Sequence, residues 1–194
     1  MPIPPLILAS SSPYRRSLLA RLRLPFEVRA PGVNEAALPG EAARDTALRL
    51  AQEKARVVAA ECPAALVIGC DQVAALDAAA IGKPGTHANA VAQLKAMRGR
   101  NVHFHTALAL LNAATGALQS AEVPTTVRFR NYDDAEIERY LIAERPYDCT
   151  GSARIEGLGI VLIESVESAD PSALIGLPLI KLAAMLRKEG VVIV

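Results

Sequence analysis

The apolar positions of this chain change period several times, and each change predicts an element. Leu6-Ile7-Leu8-Ala9 is a continuous apolar run, as expected of a short buried strand. Leu18, Leu19 and Leu22 then fall on one face of a helix over 13–22, and Phe26 to Arg29 predicts a short strand. A loop through Gly32 and Gly40 leads to a helix over 43–60, with Ala47, Leu50, Ala51, Val57 and Val58 on one stripe. Residues 64–70 are apolar throughout, predicting a central strand that ends at Asp71.

The second half is mixed in the same way. A Gly82-Lys83-Pro84-Gly85 loop precedes a helix over 88–97, with Thr86 as its cap and Gly99 as its stop. Residues 102–112 and 117–130 read as strands around a Thr115-Gly116 turn. Asp133 and Glu136 form the signature of a capping box opening a helix over 134–144. A glycine-rich stretch, 151–159, leads to a strand over 160–165. Asp170-Pro171 opens a helical stretch to Lys188, interrupted near Gly176-Leu177-Pro178, and Val191 to Val194 reads as a last strand. The fold class is α/β with a substantial antiparallel component, in one domain. The order of strands in the sheet is not legible in this pattern.

Composition adjusts this picture in three places. With 194 residues, 52% of them hydrophobic, the chain can bury a sizeable core. Twenty-one basic residues against 20 acidic ones leave no bulk field for nucleic acid or an anionic membrane, so any anion site is local. Three cysteines at no metal-like spacing suit a reducing cytoplasm, and no apolar run approaches the length of about 18 residues that suggests a membrane helix. The expectation is a cytoplasmic protein with neither nucleic-acid nor membrane partner.

Candidate chemistry begins at the first helix. Ser12 suits an N-cap and Pro13 the first helical position, which puts Arg15 and Arg16 in the first turn. The helix dipole disfavours cations there by roughly 0.3–1 kcal/mol each. Either they are two solvated arginines, or an anion docks against them and the free N–H groups. Lys54 interrupts the apolar stripe of its helix, so its ammonium either snorkels to water or meets a counter-charge near the ligand edge of the sheet. Asp71, at a predicted strand end, stands where open α/β sheets bind ligands, and a turn cap is the plainer alternative. Lys83 lies on a rigid loop, and Glu35 is a candidate second carboxylate for Mg²⁺. Neither a P-loop nor a dinucleotide fingerprint is present, and His87, His103 and His105 have no partners at zinc-ligand spacing. Two arginines, two lysines and acidic groups together are equipment for phosphoryl-group chemistry.

The motifs occur in a recognisable order. Leu-Ala-Ser-Ser-Ser-Pro-Tyr-Arg-Arg (8–16), Leu-Ala-Gln-Glu-Lys-Ala (50–55), Ile-Gly-Cys-Asp-Gln-Val (68–73), Gly-Lys-Pro (82–84), Gly-Ser-Ala-Arg-Ile-Glu-Gly-Leu-Gly-Ile (151–160) and Leu-Ile-Gly-Leu-Pro-Leu (174–179) resemble the Maf family of nucleoside triphosphate pyrophosphatases over essentially the whole chain. Gln72 and Glu156 look like its YceF-type branch, whereas the branch acting on dTTP and UTP has Thr and Gln there and Arg where Tyr14 stands. Two small departures, Arg98 before Gly99 and Cys70 before Asp71, stand where Ser is common.

The resemblance implies a Maf/inosine-triphosphatase-like fold, with an elongated twisted mixed sheet and a cleft between two lobes. It also implies a homodimer, a divalent cation (Mg²⁺ or Mn²⁺), and cleavage of a nucleoside triphosphate, preferentially 7-methyl-GTP, to monophosphate and pyrophosphate. Asp71 is then the proton acceptor, and Tyr14, Gln72 and Glu156 set base preference. The chemistry of the residues agrees. Glu156 accepts from the N1–H and N2–H₂ donors of guanine, and its charge favours a cationic 7-methyl base. Tyr14 can stack on that base. Arg15, Arg16, Lys54 and Lys83 neutralise the triphosphate, with Glu35 toward the metal. A nucleotide-binding regulator of cell division without turnover is the alternative.

Overall fold

The structure is a computed structural model and describes residues 4–77 and 79–194. Among the described residues, seven strands form one mixed sheet. β1 (Leu6–Ala9) lies between β2 (Glu27–Arg29) and β3 (Leu66–Leu76), parallel to both. β3 then pairs antiparallel with β5 (Asn101–Asn112), β5 with β6 (Leu118–Phe129), and β6 with β7 (Ile163–Ser168). β4 (Ala79–Ile81) doubles back on the far end of β3. Five α-helices of the described residues flank the sheet: α1 (Pro13–Ala20), α2 (Ala43–Glu61), α3 (His87–Met97), α4 (Asp134–Glu144) and α5 (Leu179–Lys188). Among the described residues, no helix is long and apolar enough to cross a membrane.

Strand alternation sorts the core. Ile7, Ala9 and Val67 face α2, where Ala47, Ala51, Ala55 and Val58 meet them. Leu6, Leu8, Leu66, Ile68 and Cys70 face the other way, onto Leu18 and Leu19 of α1 and Leu182, Met185 and Leu186 of α5. Farther along β3, Ala74 and Leu76 join a third cluster with Phe104, Phe129 and the apolar faces of α3 and α4. The stretch of β3 between the clusters holds Asp71 and Gln72.

The caps form as their residue types require. Ser12 Oγ accepts from Arg15 N–H at 3.4 Å, Thr86 caps α3, and Asp133 and Glu136 close a reciprocal capping box on α4.

Several boundaries differ from the sequence expectation. β3 does not end at Asp71 but runs to Leu76, because β5 pairs with it from Leu66 to Ala75. α1 stops at Ala20, and β4 has no counterpart in the sequence reading. Residues Leu158–Leu162 form a 3₁₀ turn rather than a strand, and pairing with β6 begins only at Ile163. The cause is compaction of the glycine segment: Gly159 sits so close to the Arg154 backbone that a Cβ would lie 2.5 Å from its carbonyl oxygen. Residues 170–176 form turns rather than a helix, with Gly176 at φ +118°, and α5 starts only after Pro178. The 191–194 tail is not a strand; Val191 is buried beside α5.

The first turn of α5 has its orphan N–H groups satisfied from a distance. Ser172 Oγ accepts from Leu179 N–H at 2.8 Å, and Asp170 Oδ2 accepts from Ile180 N–H at 2.7 Å. Asp170 Oδ1 also accepts from the Ser172 hydroxyl at 2.6 Å. Asp170→Ala removes the acceptor of Ile180 N–H and of the buried Ser172 N–H and hydroxyl, and is expected to lower unfolding free energy by about 2–3 kcal/mol. Urea unfolding checks this; an unchanged midpoint would show that water substitutes for the carboxylate.

Candidate active site

Lys54 is 3% exposed and does not snorkel. Its Nζ lies 2.6 Å from Asp71 Oδ1 and 2.5 Å from Glu35 Oε1. The approach of α2 to β3 makes this possible. Gly69, two residues before Asp71 and on the same face, lets α2 come so close that a Cβ there would lie 2.0 Å from the Ala51 carbonyl oxygen. One turn along α2, Lys54 then reaches Asp71. Each buried charge compensates the other, which is the condition for keeping either inside.

Sheet topology opens the space around this pair. Parallel pairing of β1 with β3 stops at Ala9 and Gly69, and β4 begins to pair on that same edge only at Ala74. Between them the edge of β3 is unpaired at Cys70 to Val73. The chain leaving β1 runs into the serine loop and α1, and the chain leaving β4 runs into the Lys83 loop, so the two loops come to one pocket of about 510 Å³. Tyr14, Arg15, Glu35, Lys54, Asp71, Gln72, Lys83 and Glu156 all line it. This is a topological break of the kind at which α/β sheets hold ligands.

Arg15 is anchored by its Nε–H, which donates to the Gly176 carbonyl at 3.0 Å, leaving its terminal nitrogens as donors for an anion. The same carbonyl accepts from the Cys70 thiol at 2.8 Å. Burial pushes that thiol up to about 11 and keeps it protonated. Gln72 does not present a free amide nitrogen: Nε2 lies 2.9 Å from Thr106 Oγ1 and 3.1 Å from each of the Ala173 and Leu174 carbonyls. It holds the 173–176 loop in place. Arg16 does not reach this pocket; it is exposed and lines a separate shallow groove with Ser17, Leu24 and Val28. The Ser12 N–H already donates to Ser10 Oγ at 3.1 Å, so that turn has fewer open donors than its sequence suggests.

Glu35 titrates below its ordinary range. Burial pushes it up, but the hydrogen bond and charge of Lys54, with Lys83 and Arg15 beyond, outweigh burial. Its loop is fixed by Arg49, which pairs with Glu41 at 2.7 Å and donates to the Ala36 carbonyl at 3.0 Å. Among the described residues no group of three His, Cys, Asp or Glu gathers that could hold a metal. Two carboxylates do converge, however, on one ammonium. That donor set suits Mg²⁺ or Mn²⁺ bound largely through substrate phosphates and water, and does not suit an all-protein cage.

At the other end of the pocket stand Tyr14 and the glycine segment. Burial first, then contact with Cys149 at 3.7 Å and the nearby Asp148, push the Tyr14 phenol up to about 12 despite Arg154. The Arg154 guanidinium lies over the Tyr14 ring, 5.4 Å from its centroid. It pairs with Glu144 at 3.0 Å and approaches Glu156 at 3.7 Å. Glu144, mostly buried, also accepts from Leu158 N–H at 2.8 Å and fixes the loop. In the sequence Arg154 stands out only as a member of the glycine-rich 151–160 motif. Glu144 gave no signal there, because nothing in a helix-end glutamate shows that a loop will fold onto it.

A family model described as Maf-like protein matches residues 5–189. A protein of Methylobacillus flagellatus named 7-methyl-GTP pyrophosphatase is 60% identical over 189 residues, covering 97% of this chain and 98% of its own. Proteins of the same name from Cupriavidus metallidurans and Paraburkholderia xenovorans are each 60% identical, over 96% of this chain and 94% and 93% of theirs.

Proposed function

Because this chain belongs to the Maf family, we propose that it is a nucleoside triphosphate pyrophosphatase acting on 7-methyl-GTP. The observation that carries the chemistry is the buried Lys54–Asp71 pair opening onto a pocket with Arg15 and Lys83. The base preference rests on Glu156 and on the names of the relatives. A binding-only regulator needs no buried carboxylate–ammonium pair facing the anion site, so turnover is the better reading.

The triphosphate lies with its anionic groups against Arg15 and Lys83. Asp71 takes a proton from a water molecule as that water attacks the α-phosphorus. The bond from the α-phosphorus to the bridging oxygen breaks, and pyrophosphate leaves with that oxygen. Lys54 holds the Asp71 carboxylate in place and balances its charge. Glu35 and Asp71 are the carboxylates that would hold Mg²⁺ or Mn²⁺, which when bound supplies charge neutralisation to phosphate oxygens. Gln72 acts on the site through the 173–176 loop that anchors Arg15. The proposal includes a cytoplasmic homodimer, whose check is a solution mass twice that of the chain.

A panel of GTP, 7-methyl-GTP, UTP and dTTP, read by pyrophosphate rather than orthophosphate release, tests the activity. Preferential release from 7-methyl-GTP is expected; no pyrophosphate from any of them would leave a binding protein. Glu156→Gln is expected to reduce the ratio of 7-methyl-GTP to UTP hydrolysis at least about tenfold, since a neutral amide no longer repels uracil acceptors or attracts a cationic base. The same ratio in the variant would remove Glu156 from base selection.

A further inference from the structure

The structure assigns to Arg154 a direct part in reading the base, an inference that rests on the guanine-nucleotide reading above. A carboxylate alone cannot read the whole edge of guanine. Glu156 matches the N1–H and N2–H₂ donors, but O6 is an acceptor and needs a donor beside that carboxylate. Arg154 stands there. Its Nε is 3.7 Å from Glu156 Oε1, and both residues line the pocket. That Nε is buried and no described residue accepts a hydrogen bond from it; the side chain as a whole is 40% exposed, so a small turn of the guanidinium opens Nε to the pocket. A buried donor without an acceptor is costly, which points to an acceptor arriving with the ligand.

Arg154 is partly fixed already. One Nη is held at 3.0 Å by Glu144, and the backbone N–H of Arg154 donates to the Tyr140 hydroxyl at 3.0 Å. Its Cζ lies 5.4 Å from the centroid of the Tyr14 ring. Donor and acceptor therefore sit side by side on a stiff loop, in the order that O6 and N1–H require. Adenine presents the reverse order, an N6–H₂ donor beside the N1 acceptor, and meets like against like at both positions.

Charge is consistent with this role. Glu144 and Glu156 both flank Arg154, so the corner keeps one net negative charge after pairing. A cationic 7-methyl base is then still attracted, and its free O6 still finds a donor.

The test compares kcat/KM for GTP and for 6-thio-GTP, which differs only in carrying sulfur, a weak acceptor, in place of O6. The native protein is expected to prefer GTP by about tenfold, the value of one charge-assisted hydrogen bond. Arg154→Met is expected to bring the two within about twofold by lowering GTP turnover alone. Arg154→Gln leaves Glu144 a donor but is shorter and uncharged; it is expected to give the same narrowed ratio and serves if the methionine variant does not fold. Equal loss of both substrates, with the ratio unchanged, would make Arg154 a strut for Tyr14 and Glu144 only and overturn the inference. A native protein that releases pyrophosphate from both nucleotides at equal efficiency would overturn it too. Release from neither of these nor from 7-methyl-GTP would remove the pyrophosphatase reading itself, and this inference with it.

Discussion

Asp71→Asn is expected to lower kcat/KM for 7-methyl-GTP by about a hundred- to ten-thousand-fold, the usual contribution of a general base. The amide is nearly the same size and cannot take the proton of the attacking water. The variant is expected to fold. Lys54 keeps Glu35 as a counter-charge at 2.5 Å, so removing the Asp71 charge does not leave a buried cation alone. The converse change is less clean. Lys54→Met would leave Asp71, 6% exposed, without its ammonium, and loss of activity would mix with loss of stability. Pyrophosphate release from Asp71→Asn, with thermal unfolding as a control, decides the matter. Near-native turnover in a folded variant would take Asp71 out of the mechanism.

Gly69→Ala carries the largest expected cost in stability, at least about 3 kcal/mol. The added methyl carbon would lie 2.0 Å from Ala51 O and 2.8 Å from Ala55 N, and both are helix backbone rather than flexible side-chain ends. α2 must lift from β3, in a part of the core built from Ala47, Ala51 and Ala55 because nothing larger fits. Lifting α2 also draws Lys54 away from Asp71. The variant is thus expected to lose specific activity beyond its loss of folded protein. Denaturant unfolding measures the first effect, and activity normalised to the folded fraction measures the second. A variant of native stability would mean that the close helix–strand approach is not maintained in solution.

The two expectations share one cause, the height of α2 above the sheet. Local pattern identifies Lys54 as anomalous, since a lysine on an apolar stripe has to go somewhere. It does not say which of two answers is correct, because snorkelling and pairing look alike along a helix. Contact with Asp71, 17 residues away, decides it. Likewise Asp71-Gln72 reads as a strand end, because paired polar residues usually leave a sheet. Only β5, running alongside from Leu66 to Ala75, keeps them inside the strand.

The sequence by itself determined the elements whose signals are short-range: the capped starts of α1, α3 and α4, the strand runs of β1, β5 and β6, and the ordered motifs that resemble one family. Periodicity and capping act within a turn or two of chain, so they are written locally. Tertiary structure alone decided which of the flagged groups meet. It brought Lys54 between Asp71 and Glu35, turned Arg15 toward the pocket and Arg16 away from it, and committed the Gln72 amide to a loop a hundred residues distant. It also set Arg154 beside Glu156 by folding a glycine segment onto Glu144. Those pairings depend on where one strand stops and another starts along a shared edge, and on a glycine that admits a helix. Neither is a property of any short stretch of the chain.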